Sequence, residues 1–403
     1  MSKMKKKKIK AKGEGISRRR MRLLVAISTA AVLTVAILVT VIAILFGGGR
    51  TVMRVNSTRV GEELYSYWLS YGKYSYLREH GGSDTRAYWS SDNGEGITHE
   101  QACRLSTERY IVQMLVSAEL YDSLGGELSA GEREAIEERA EALLQYDISS
   151  RSEYDRLAKE YGFSYSAMCR ALVYSYKNET LRTLLTGNGG STLTEAQIEQ
   201  YYELTFTRAL ILEVRTENYY KTDDEGDYEQ NADGTYKLFD MTDEQKAEAR
   251  AKIERILAAL DADGSLESFE ALYESENEDI RRTLYPDGYF FSESSAFSEY
   301  YTENLPTGAP DVVSGILSQQ IGSYRTYDLG DRTLIVYVTG TTERPYEKAS
   351  NEDFFHDLAT NAAEYYYAKT LGDAIASARV SYDKDLEMKP IREIGYDYRL
   401  FFR

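Results

Sequence analysis

Residues 209–214 read ALILEV, five apolar residues in six. The run is too short for an ordinary helix and is rich in strand formers, so it predicts a buried β-strand. Residues 334–338, LIVYV, answer it far downstream. Between the two, the apolar period changes to that of a helix. Ile253, Ile256, Leu257 and Leu260 share one face of a segment at about 242–260, and shorter helical segments follow at 266–273 and 310–319. Strands enclosing helices in this order predict a small α+β domain over residues 194–345. An acidic insertion at 218–240, which includes NYYKTDDEGDYEQNADG, carries Asp and Asn turn formers and predicts a protruding hairpin or loop. Its acids lack the spacing of a calcium-binding EF-hand loop.

Upstream, residues 51–190 are expected to be helical after a short apolar stretch, TVMRVNSTRV, at 51–60. A helix at 62–79 has one stripe of Leu64, Trp68 and Tyr71 and a second of Tyr65, Leu69 and Tyr76. One stripe accounts for a core. The second leaves Tyr65 and Tyr76 as candidate contacts for unfolded polypeptide or for the chain's own C-terminal segment. Ser129 and Glu132, then Thr194 and Gln197, are spaced as capping boxes that open helices. Downstream, Phe354, Phe355, Leu358, Ala362, Tyr366 and Leu371 give a helix at 350–380, expected to pack on the first domain. The tail at 381–403 has no clear period.

Residues 23–46, LLVAISTAAVLTVAILVTVIAILF, carry no charge. As a helix they would extend about 36 Å, enough for a hydrocarbon core of about 30 Å. Eleven Lys and Arg against one acid occupy residues 1–22, which predicts a cytoplasmic N-terminus, an uncleaved single-pass anchor in the cell membrane, and all later domains outside the cell. Removing that basic segment from 48 Lys and Arg and 65 Asp and Glu leaves 37 and 64, a charge of −27. So acidic a surface repels nucleic acid and anionic headgroups and keeps the chain soluble among sticky partners.

The two cysteines, Cys103 and Cys169, lie in segments read as helices, and a bridge or two separate thiols both fit. Two cysteines and three scattered histidines supply no zinc spacing, and no phosphate-loop, dinucleotide or nucleophile-elbow motif occurs. No metal or cofactor is expected.

The order of parts resembles the parvulin-type peptidyl-prolyl isomerases and the SurA- and PrsA-like foldases. Val55-Asn56-Ser57 through Glu63-Leu64 is similar to the family's opening strand–turn–helix, with Ser57 where Gly is usual, and residues 120–132 resemble a helix junction. Arg208-Ala209-Leu210-Ile211-Leu212, Asp287-Gly288-Tyr289-Phe290, Ile321-Gly322-Ser323 and residues 334–338 resemble successive pieces of the parvulin domain. The resemblance implies a single transmembrane helix followed by α+β architecture: a helical SurA-N-like chaperone domain, completed by a C-terminal helix, and a parvulin-like domain.

In active parvulins two facing histidines organise the pocket that holds the twisted amide. The first falls here on Ala209 or Ile211 and the second on Thr333. His80, His99 and His356 lie outside the parvulin-like segment. By the resemblance, Tyr289, Phe291, Val313 and Leu317 would line an apolar substrate groove. A groove without its polar pair suits binding more than turnover, so the expected function is that of a foldase or chaperone for unfolded, newly secreted polypeptides, with catalytic residues absent. An active isomerase, or an assembly partner of one envelope complex, are the alternatives.

Overall fold

The computed structural model describes residues 50–144, 148–223, 225, 227–340, 342–383 and 389–401. The chain forms two compact units, one comprising Met1–Leu181 and Leu371–Arg403, the other Arg182–Thr370. Among the described residues no helix is long and apolar enough to cross a membrane. This corrects the expected fold class: the described residues are α+β and include no membrane-spanning helix, and the apolar stretch at 23–46 lies outside them. The 25-residue helix at His99–Ser123 is long enough but carries Glu100, Arg104, Glu108, Arg109, Glu119 and Asp122 along its length.

The first unit opens with the hairpin β1 (Thr51–Val55) and β2 (Thr58–Gly61). Asn56 turns it at φ +51, in the left-handed region that Asn tolerates better than most residues. Helices α1 (Glu62–Glu79), α2 (Arg86–Ser90), α3 (His99–Ser123), α4 (Ala130–Ala142) and α5 (Arg151–Ala158) follow. The α1 bounds are those the apolar period predicts. Ser129 and Glu132 form the expected capping box of α4. Helix α6 (Tyr165–Thr186) carries the chain out of this unit.

The second unit begins with α7 (Glu195–Thr205), capped by Thr194 and Gln197 as predicted, and enters β3 (Thr207–Arg215). The insertion forms a two-stranded hairpin, β4 (Asn218–Tyr220) with β5 (Leu238–Asp240). Then come α8 (Asp243–Ala262), α9 (Leu266–Glu276), β6 (Tyr289–Phe291), α10 (Ala296–Glu303), α11 (Val312–Leu317), β7 (Ser323–Asp328) and β8 (Arg332–Thr339). The strands make one antiparallel sheet in the order β6-β3-β8-β7.

Central β3 and β8 are covered on both faces, which explains their nearly unbroken apolar runs. Ala209, Ile211, Leu334, Val336 and Val338 pack toward one core with Tyr202, Phe297 and Val312. Leu210, Leu212, Val214, Ile335 and Tyr337 pack toward the other with Ile256, Leu260 and Phe269.

Short α12 (Glu352–Phe355) starts without a side-chain cap, and α13 (Leu358–Ser377) contributes Leu358 and Ala362 to the core of the second unit before that unit ends at Thr370. The chain then returns to the first unit, where β9 (Val380–Tyr382) pairs with β1 and completes a sheet of order β2-β1-β9.

Candidate functional site

Two charged positions interrupt the apolar alternation of β3 at its far end, and they gather a polar cluster. Glu213 and Arg215 lie on the same face as Ile211, and β8 sets Arg332 directly across from Arg215. Arg215 Nε is 3.2 Å from Glu213 Oε1, and Arg332 Nε is 3.4 Å from Glu213 Oε2. Glu213 and Arg215 are both buried. Burial pushes the Glu213 carboxyl up to about 7 against the opposing pull of Arg332 and Arg215, so desolvation outweighs the ion pairs.

Asp279 joins from the loop after α9, accepting from the Arg281 backbone amide at 2.9 Å and from the hydroxyl of Tyr289. The Arg281 guanidinium lies 5.8 Å from the ring centres of both Tyr289 and Tyr301. Burial first, and Asp279 second, push the Tyr289 hydroxyl well above its ordinary range. These groups hold each other, and the cluster reaches solvent through Arg281, whose side chain is 40% exposed.

The positions expected to carry imidazoles do not face each other. Ile211 and Ala209 pack into the core shared with Phe297, whereas Thr333 pairs with Val214, whose side chain belongs to the opposite core. Residues paired across strands share a face, so Ala209 or Ile211 and Thr333 look to opposite sides of the sheet. Glu213, Arg215 and Arg332 are charged residues on the Ile211 face, at the far end of β3 and the start of β8. The signal that could have found them is a charge at alternate positions inside a strand too apolar to have a wet side.

Of the residues expected to line a groove, Tyr289 and Phe291 are fully buried with ring centres 6.2 Å apart, Val313 is buried, and Leu317 is half-buried against the same core. An open cleft of about 500 Å³ lies elsewhere on this unit, lined by Tyr285, Phe297, Tyr300, Glu352, Asp353 and His356. Tyr300 is 58% exposed.

In the first unit Tyr65 and Tyr76 are buried. Tyr65 contacts Glu108 through its hydroxyl at 3.4 Å, and burial pushes it up to about 12. The Tyr76 hydroxyl meets His99 Nδ1 at 2.9 Å, and its ring stacks on His80 at 4.1 Å. Tyr71 of the first stripe, together with Tyr67, Ser70, Lys73 and Tyr74, which neither stripe singled out, faces residues 389–401. The C-terminal segment thus covers an aromatic groove of the first unit. Both cysteines are free thiols, and burial pushes Cys103 up to about 12.

No protein-family profile matches the chain, and no curated protein matches it. Solved structures that it matches include the foldase protein PrsA of Streptococcus pneumoniae, at 13% identity over 77% of this chain and 96% of that one, with a TM-score of 0.19. They also include the foldase protein PrsA of Lactococcus lactis, at 10% identity over 83% and 96% of the two chains, with a TM-score of 0.21. At TM-scores of 0.19 and 0.21 neither likeness carries an argument about this chain.

Proposed function

We propose that this chain is a foldase-like chaperone that holds unfolded, exported polypeptides, and that its second unit binds them without imidazole-assisted prolyl isomerisation. The observation that carries the reading is the exposed, aromatic-walled cleft of Tyr285, Phe297 and Tyr300 on a unit whose sheet positions offer no facing histidines. Such a cleft admits aromatic and aliphatic side chains of many shapes, and contacts this shallow give low affinity per site. The acidic surface keeps the complex soluble while the client is held.

The barrier to turning an X-Pro bond is about 18–20 kcal/mol, and lowering it requires groups aimed at the twisted amide. Glu213 is already engaged by ion pairs to Arg215 and Arg332 at 3.2 and 3.4 Å. The expected outcome is suppressed aggregation of a denatured client together with a prolyl isomerisation rate at the uncatalysed level in a protease-coupled peptide assay. A robust rate that disappears on Leu317→Arg would instead establish an active isomerase, and no suppression of aggregation would remove the chaperone reading.

A further inference from the structure

Residues 389–401 lie on the first unit in a manner that reads backbone more than side chain. Lys73 Nζ donates to Ile394 O at 2.7 Å, and its side chain is 1% exposed, anchored by Asp84 at 2.9 Å. Ser70 Oγ donates to Gly395 O at 2.9 Å, and the buried Tyr154 hydroxyl donates to Leu400 O at 3.0 Å. The Arg104 guanidinium donates to Lys389 O. With Lys73 Nζ also reaching Arg392 O at 3.4 Å, five main-chain carbonyls are received by four side chains of the unit, and every peptide carries such carbonyls whatever its sequence.

Side-chain recognition rests on apolar bulk and on one ion pair, Arg392 with Glu100 at 3.1 Å. Phe401 is 1% exposed, with its ring 5.8, 5.6 and 5.7 Å from those of Tyr67, Tyr71 and Tyr74. Ile391 and Leu400 are fully buried, while Glu393 and Tyr398 are exposed. Beside Ile394 and Gly395 the segment leaves an unfilled cleft of about 380 Å³, whose other wall includes Tyr65, Leu69 and Tyr161.

We infer that the groove along α1 is a binding site for extended, aromatic- and aliphatic-rich polypeptide, and that residues 389–401 are its resident, displaceable occupant. The inference rests on the chaperone reading and deepens it by naming the site. The cleft at Gly395 gives an incoming chain a place to start. Strand-like exchange then proceeds carbonyl by carbonyl, with an apolar side chain taking the place of Phe401. Because the occupant is tethered, its effective concentration is high, and clients bind more weakly than they would to the empty groove.

The test uses the full chain and one probe, reduced and carboxymethylated α-lactalbumin, which stays unfolded. In the unaltered protein, a saturating probe should release the amides of Ile394 and Leu400 to hydrogen exchange while those of α3 stay protected. Arg392→Glu, which breaks the exposed pair with Glu100 without touching the core, should tighten probe binding by about fivefold, and Phe401→Ser by about tenfold or more. A synthetic peptide of residues 389–401 should compete with the probe.

If the probe binds yet Ile394 and Leu400 keep their protection and Arg392→Glu leaves affinity unchanged, the groove is a structural seam and the inference fails while the chaperone reading stands. If neither the unaltered chain nor Arg392→Glu binds the probe, both fail. An unfolded Phe401→Ser leaves the exchange and Arg392→Glu results to decide.

Discussion

At Glu213 a single carboxyl is held between two guanidinium groups and still takes up a proton more readily than it would in water, because water has been excluded from around it. Its carboxyl is raised from 4.5 to about 7, so between those pH values the folded chain holds a proton that the unfolded chain has released. Stability from this group is therefore complete below about pH 4.5 and is lost as pH rises through about 7, a loss of about 3 kcal/mol. Glu213→Gln keeps the neutral shape at every pH. Urea unfolding at pH 5 and pH 8 should show the unaltered chain losing more stability than the variant over that interval; equal losses would show that Glu213 is ionised in the fold throughout. Nothing in composition marks this residue, since one Glu among 65 acids is invisible until the register places it indoors. Lys73 was equally hidden: a lysine in an amphipathic helix reads as solvent-facing, and only the returning C-terminal segment makes it a buried donor.

Among the elements, those defined by local chemistry were legible. The caps at Ser129 and Thr194 and the apolar rows of α1 depend on neighbours three or four residues away. Strands β3 and β8 announced themselves because burial on both faces erases alternation. Short β6 and β9 did not, because three residues carry too little pattern and their pairing partners are remote. The membrane-spanning helix expected at 23–46 lies outside the described residues, whose helices include none long and apolar enough to cross a membrane. Gly288 shows what a turn into β6 demands: it sits at φ +85, and a Cβ there would be 2.8 Å from Ala209 O. Gly288→Ala is expected to cost about 1–3 kcal/mol, read as a lower urea midpoint for the second unit. An unchanged midpoint would mean that β6 can shift away from β3 without cost.

For the molecule as a whole the dominant long-range property is charge, −17 over 403 residues. Opposite charge draws a client in, and salt screens that attraction within about 10 Å at 0.1 M. Raising sodium chloride from 50 to 500 mM should slow association with a cationic unfolded probe several-fold and leave dissociation nearly constant, measurable by stopped-flow fluorescence. A rate indifferent to salt would confine recognition to short-range contacts.

The first unit is also assembled from distant parts of the chain: β1 needs β9, and Tyr154 needs Leu400. The second unit is one continuous stretch. A ribosome delivers residues in order, so the continuous unit has all its parts while the other still waits for its closing pieces. During that interval α1 has its tyrosines uncovered, and the nascent protein is itself in the condition of the polypeptides it is proposed to protect.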